Sequence, residues 1–354
     1  MFDFLVRPHS FLRSRKLITC VALLSLTFSA EAAAHGVTLK FRGIEPFNPA
    51  FSENFLQPWA EKLHEDSRGK INLLIEPTDR GADLFQAVLD RDADVVWLSL
   101  RGPASSHPRF MLFAAPLAGN SAGGSSMALW SWVEMNDLAF REFSEMRILA
   151  VARHDEPVFH MRERALSSLS DLKGARIAIP TPDAETFLAH LGASPVVLPA
   201  SQFAGALSQN KVDGLLLSWS SLAALELEAL VTAHSQPPAG APWPYTQLSL
   251  LMMNPDAYRG LTDDLKQVMR AENGIDVSAR IGNIFDDAAQ AAHDSVAARG
   301  ETINTLPDSD LALWREAADA ALETRSSELD AIGLNGQELI EQVRALIKRY
   351  DPAR

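Results

Sequence analysis

The chain has 354 residues, 47% of them hydrophobic, enough to bury a sizeable core and, at roughly 150 residues per domain, to form two domains; a disordered or fibrous chain is excluded. Acidic residues outnumber basic ones 45 to 32, a formal charge of -13 whose repulsive field argues against nucleic acid or an anionic membrane as partner. A single cysteine, Cys20, excludes a disulfide scaffold and any multi-thiolate metal site.

At the start, Arg7, Arg13, Arg15 and Lys16 precede an apolar run over 17–28 and then small residues as far as Ala34. That is the layout of a secretory signal peptide, and its run of about twelve apolar residues falls short of the roughly 20 a membrane-spanning helix needs. Residues 1–34 are therefore expected to be cleaved off, with Ala32-Ala33-Ala34 as one small-x-small site that leaves His35 first. No later segment is an uninterrupted apolar run of about 18 residues, so the mature chain is expected to be soluble, periplasmic and not itself membrane-spanning.

Short β-type runs follow at 37–44, 70–75, 93–98, 147–153, 175–179, 195–198, 214–217 and 247–253, alternating with helical patterns. This is α/β architecture with largely parallel sheets. Phe51, Phe55, Trp59 and Leu63 recur every four positions as one helical stripe, read as core. Two segments, 85–100 and 203–217, share the order helix, polar turn, apolar strand, with Asp94 and Asp213 one position out of register, which suggests two lobes of similar construction. Asn210 stands where the second of these helices must stop. The Pro-rich stretch 237–244 reads as a rim loop or interlobe connection. From Thr262 to Arg299 there is no proline; a continuous helix there would be about 57 Å long, with Gly274 and Gly282 as places to break. A β-type run at 302–306 precedes two helical patterns, the last with Leu339, Ile340, Val343, Leu346 and Ile347 on one face.

Two stretches offer chemistry. Gly119-Asn120-Ser121-Ala122-Gly123 matches G-x-S-x-G, which would make Ser121 the nucleophile of a secreted hydrolase. Pro116 interrupts the approach strand, no HGGG-type oxyanion motif accompanies it, and a helix cap near Ser125 explains the same residues. His154-Asp155-Glu156 could hold a metal, but neighbours on a strand point in different directions and seldom converge on one ion. No H-E-x-x-H, Walker loop or G-x-G-x-x-G is present, and neither cofactor nor metal is expected.

Several stretches taken in order resemble the solute-binding subunit of tripartite ATP-independent periplasmic (TRAP) transporters, the DctP family: PWAEKLHEDSRGKINLLI from Pro58, DADVVW from Asp92, SLSDLKGARIAIP from Ser168, LGASPVVLP from Leu191, ALSQNKVDG from Ala206, SLLMMNPDAY from Ser249 and LTDDLKQVM from Leu261. The resemblance implies a two-lobed, type II periplasmic-binding-protein-like fold with hinge strands at 147–153 and 247–253 and a long helix from Thr262 spanning both lobes. Lobe one would be 35–152 plus 247–285, and lobe two 153–246 plus 286–354. It implies a receptor, not an enzyme, closing on a small organic solute, a carboxylate above all, and delivering it to membrane permease subunits. A receptor for an ATP-driven importer is the neighbouring alternative.

The family places a carboxylate-clamping arginine in the strand after DLKG, and here that position is Ala178. A methyl group cannot clamp an acid, whereas arginine offers two parallel hydrogen bonds. Arg176 shares a strand face with Ala178 about 6.6 Å away and could reach the vacated space; Arg153, near the hinge, is the other candidate. Further candidates stand at strand ends and connections, where open α/β sheets hold ligands: Asn48, Trp97, His154 and Asp155, then Trp219 and Tyr245 as aromatic walls. Asp155 could favour a ligand with a cationic or hydroxyl group.

Overall fold

The computed structural model describes residues 36–43, 49–76, 78, 83–100 and 106–352; the expected leader over 1–34 and the candidate Asn48 lie outside them. Among the described residues the strands in chain order are β1 (Val37–Gly43), β2 (Ile71–Glu76), β3 (Val95–Ser99), β4 (Arg147–Arg153), β5 (Pro157–Met161), β6 (Arg176–Ile179), β7 (Ser194–Val197), β8 (Gly214–Ser218), β9 (Ala233–Gln236), β10 (Leu248–Met253) and β11 (Thr302–Thr305). They form two sheets, one in the order β2-β1-β3-β10-β4 and the other β11-β9-β5-β8-β6-β7. Both belong to the unit that runs from Val37 to Arg354.

The sheets are mixed, not largely parallel. β10 is antiparallel to β3 and β4, and β5 is antiparallel to β8 and β9, while the other pairings are parallel. The reason is topological: β5 and β10 are the strands that enter each sheet directly from the other one, so they run against their neighbours. β5 and β9 were not legible as strands. Proline opens β5 and a histidine lies inside it, yet the whole strand is buried at the middle of its sheet. Tertiary position overrides its weak local pattern.

Helices cover both faces of the first sheet, which is why β3 reads Val95-Val96-Trp97-Leu98 without alternation. On one side lie the aromatic stripe and α1 (Gln57–Asp66), with Phe51, Phe55, Trp59 and Leu63 all buried as expected. The helix reaches α1 through a π turn at Ser52–Leu56, and the wider ladder accommodates Pro58, which has no N–H to donate. The echo between the two lobes is structural. α2 (Leu84–Leu89) leads to β3 and α4 (Phe203–Ser208) to β8, and each helix is closed by a left-handed residue, Arg91 at φ 67° and Asn210 at φ 56°. The Asp94 carboxylate then accepts from the Lys40 N–H of β1 at 2.9 Å, and Asp213 from the Arg176 N–H of β6 at 2.8 Å. On the other face of the first sheet packs α3 (Ala122–Met135).

Two helices run from one core to the other. The stretch from Thr262 breaks at Gly274, where φ is 94°, into α6 (Asp263–Ala271) and α7 (Ile275–Ala298), so the spanning helix has 24 residues and is about 36 Å long. α7 places Ile281 and Phe285 in the core of the first sheet and Ala292 and Val296 in that of the second. Gly282 does not break it: a Cβ there would collide with the Ala122 carbonyl of α3. α8 (Leu311–Ala331) crosses in the other sense, from Trp314 and Ala317 in the second core to Leu322 and Leu329 in the first. α9 (Gly336–Tyr350) buries Ile340, Val343, Leu346 and Ile347 wholly in the first core, so the assignment of 286–354 to the second lobe is corrected for this helix. Among the described residues no helix is long and apolar enough to cross a membrane.

Candidate functional site

β1, β3 and β4 point the same way, and the chain passes from the carboxyl end of β4 to the amino end of β5 through residues 154–156 alone. β5 opposes β8, and β8 parallels β6, so the carboxyl ends of β6 and β8 come to the same junction. Ligands of open α/β sheets bind at such carboxyl ends.

Arg153 closes β4 and is fully buried. Its Nη1 donates to the Ala118 carbonyl at 3.3 Å and Ser125 Oγ at 3.2 Å, and Nη2 to the Leu117 carbonyl at 3.3 Å. Its Nε is buried with no partner, and the guanidinium lies 4.5 Å from the centre of the Trp243 ring. A Cβ at Gly119 would crowd both Nη1 and that ring, so glycine there opens the space. Burial lowers the Arg153 pKa to about 9, against the pull of Asp351 and Glu156, which leaves it charged at neutral pH. No carboxylate among the described residues forms an ion pair with it. Among the described residues this is a buried cation held by neutral acceptors alone.

His154 follows. Its Nε2 meets Ser249 Oγ at 2.8 Å, its Nδ1 has no partner, and its ring stacks on Phe285 with centroids 4.0 Å apart. Burial drives its pKa down to about 3, so the ring is neutral and behaves as an aromatic surface with one unused nitrogen. Phe285 also faces Trp97 at 6.5 Å, and Trp97 stacks on Phe51 at 4.3 Å, so the expected Trp97 and His154 are joined in one aromatic row. Asp155 bridges to the second sheet: the Ser220 N–H donates to it at 3.2 Å and the Ser220 hydroxyl also bonds it. Burial pushes Asp155 up to about 7 even though Ser220 pulls the other way. The side chains of His154 and Asp155 thus diverge, and among the described residues no three groups are placed to hold a metal ion.

Trp219 opens α5 (Trp219–Ala224) at the carboxyl end of β8; its Nε1 is buried and unpartnered, and its ring rests against His160 and His234, both at 4.8 Å. Two buried nitrogens, Arg153 Nε and His154 Nδ1, are therefore left unpaired at this junction, where buried polar groups are otherwise paired; Trp219 Nε1 is also unpaired, but its ring turns back among His160, His234 and His293 of the second core.

The other expected residues are used elsewhere. Arg176 stands at the amino end of β6, about 10 Å along the strand from the junction, and its Nε and Nη2 bond both oxygens of Asp213 at 3.1 and 2.6 Å. We expect Arg176→Ala to leave the dissociation constant of any bound solute unchanged in calorimetry. Ala178 is fully buried in the apolar core of the second sheet, beside Val196 of β7 and Leu215 of β8. Tyr245 is core: its hydroxyl donates to the Leu216 carbonyl at 2.9 Å and burial raises its pKa. Ser121 caps α3, accepting from the Gly124 N–H at 3.0 Å and donating to Asp351 at 2.8 Å, with no histidine among its partners. Its glycine neighbour serves helix packing, since a Cβ at Gly123 would strike Asn283. This geometry fits the helix cap and not the nucleophile. Missed from the sequence were Trp243, Ser125, Ser220 and Phe285; only Trp243 carried a signal, as an aromatic residue inside the Pro-rich stretch 237–244.

The model of bacterial extracellular solute-binding protein family 7, DctP, matches residues 49–328. A marine metagenome TRAP solute-binding protein specific for aromatic acid ligands, solved with metahydroxyphenylacetate, is 30% identical, with 89% of this chain and 99% of that one covered and a TM-score of 0.82. A TRAP solute-binding protein from Rhodoferax ferrireducens, in complex with copurified benzoate, is 26% identical over 89% of this chain and 98% of its own, also with a TM-score of 0.82. The Outer membrane transporter protein TsaT of Comamonas testosteroni is 22% identical over 337 residues, 94% of this chain and 97% of that protein. With a family model spanning most of the molecule and two solved TRAP receptors superposing on its sheets, the chain belongs to the DctP family of bacterial extracellular solute-binding proteins.

Proposed function

We propose that the chain is the receptor of a TRAP-type transporter for a small aromatic monocarboxylate. It reaches the periplasm through the leader over 1–34, closes its two lobes on the solute, and presents it to membrane permease subunits. Lobe one is built on the first sheet together with α9, and lobe two on the second sheet. Arg153 takes the acid group, and the row from Trp97 to His154 borders the ring.

The observation that carries this reading is Arg153 itself, a buried cation with a free Nε and no carboxylate partner among the described residues. A desolvated guanidinium gains most from an anion that brings two acceptor oxygens. One such cation, with Ala178 where the family has another, suits one acid group better than two. The aromatic class is supported by relatives solved with benzoate and metahydroxyphenylacetate.

Calorimetry and thermal shift with benzoate, 3-hydroxybenzoate, phenylacetates, benzamide and aliphatic dicarboxylates test it. Aromatic monoacids should bind and, at a hundredfold excess over Kd, stabilise the fold by about 2.7 kcal/mol, while neutral benzamide should not. Binding of dicarboxylates alone, or of nothing in the panel, would refute the ligand class.

A further inference from the structure

The loop that cradles Arg153 is held from the far end of the chain. α9 is seated in the first core by Ile340, Val343, Leu346 and Ile347, and it delivers Asp351 to the amino terminus of α3. There the Asp351 carboxylate accepts from the Asn120 N–H at 2.7 Å, the Ser121 N–H at 3.1 Å, Ser121 Oγ at 2.8 Å and Ser125 Oγ at 3.0 Å. Its main-chain carbonyl accepts from Asn120 Nδ2 at 2.7 Å. Gly124 is the residue that lets it so close, because a Cβ there would overlap the Asp351 side chain.

The consequence reaches Arg153 in two ways. Ser125 Oγ gives its proton to Asp351, so what it turns toward Arg153 Nη1, 3.2 Å away, is a lone pair. Leu117 and Ala118, whose carbonyls hold Nη2 and Nη1, directly precede the stretch that Asp351 anchors. Asp351 thus favours the guanidinium charge from one hydroxyl away. Direct contact would pair the cation and compete with an incoming anion; the intervening serine avoids that competition.

We propose that Asp351 is a positioning residue for solute binding, fixing the 117–121 loop and the Ser125 hydroxyl so that Arg153 is gripped through Nη1 and Nη2 while Nε stays open to the acid group. This rests on the assignment of Arg153 made above. Asp351 falls after residues 49–328, so the match to the family model does not extend to it.

The test compares Asp351→Asn, which keeps the shape and an acceptor but removes the charge, with Asp351→Glu, which keeps the charge, and with Ser125→Ala, which cuts the relay and leaves the Asn120 and Ser121 contacts alone. Two readouts are taken: Kd for 3-hydroxybenzoate and benzoate, and, without solute, the exchange rate of the Arg153 guanidinium protons by NMR of protein labelled with 15N-arginine. Asp351→Asn and Ser125→Ala should each weaken binding roughly tenfold, the size of one lost hydrogen bond to a charged group, and the double variant little more than either, because both sever one relay. The Arg153 protons should exchange faster in both, and Asp351→Glu should restore part of the loss. Wild-type affinity and wild-type exchange in Asp351→Asn and Ser125→Ala, with binding abolished by Arg153→Met, would overturn the positioning role and leave the receptor reading intact. Binding unaffected by Arg153→Met would instead remove the anion assignment on which both stand. Should Asp351→Asn fail to fold, Ser125→Ala decides by the same two readouts.

Discussion

Replacing Arg153 by methionine is expected to abolish binding of the aromatic acid, with a loss of at least about 3 kcal/mol, while the solute-free protein stays folded. The two halves of that expectation have different causes. Binding is lost because the solute carboxylate would leave water for a pocket without a cation, and a buried unpaired charge costs several kcal/mol. Stability is kept because the solute-free protein already carries the cost of a desolvated guanidinium at 0% exposure; an apolar side chain of similar volume removes it. The carbonyls of Leu117 and Ala118 lose their donor, which offsets part of that gain. Titration calorimetry and denaturant unfolding on the same variant separate the effects. Intact binding of 3-hydroxybenzoate or benzoate in Arg153→Met would show that the acid group docks elsewhere.

The second large effect is expected in the pH dependence of Asp155→Asn. Burial holds the Asp155 pKa at about 7 in the folded protein against 3.8 for a free carboxyl group. A carboxyl whose folded pKa is raised contributes its stability fully below the unfolded pKa and loses it as pH rises through the folded one, so the window runs from about 3.8 to about 7. Roughly three pH units at 1.36 kcal/mol each make about 4 kcal/mol, which the asparagine variant, still an acceptor for Ser220, does not lose. Unfolding curves at pH 3.5 and pH 8 should therefore show the variant gaining on the wild type by an amount of that order; parallel curves would mean that Asp155 is ionised throughout. His154 works in the opposite sense. Its folded pKa of about 3 lies below the free value of 6.5, so its contribution is present above 6.5 and is lost as pH falls, and this acid limb should persist in the variant. Solute affinity should follow Asp155 as well. Above about pH 7 the wild type acquires a carboxylate two residues from Arg153, beside Glu156 and within the field of Asp286, which opposes an incoming anion; its affinity should begin to fall there, while that of Asp155→Asn should hold until Glu156 ionises at about 8.

Much of the architecture could be read in one dimension because it depends on local periodicity. The stripe Phe51, Phe55, Trp59, Leu63 and the apolar face of the last helix repeat at helical spacing and are buried along that face, and the runs that became β4, β8 and β10 are short continuous apolar stretches buried almost throughout. Asn210 announced a left-handed helix end because its side chain tolerates that conformation, and φ is 56°. β5 escaped because burial at the centre of a sheet, not its own pattern, makes PVFHM a strand.

The candidate site was legible by position and not by pairing. Arg153, His154 and Asp155 could be found because they end or follow an expected hinge strand, and Trp219 because it follows the strand run 214–217. Along the chain one could read an echo that suggests two lobes of similar βα build, candidates at strand ends, and, through the family resemblance, the want of an arginine at Ala178. Which cation is available there is set by the packing of segments far apart in the chain. Arg176 meets Asp213, 37 residues on, and is neutralised; Arg153 meets two carbonyls and a hydroxyl from a loop that Asp351, 230 residues beyond Ser121, holds in place. Whether a charge is paired depends on which distant groups the packed cores bring within about 3 Å of it, and no spacing along the chain encodes that distance.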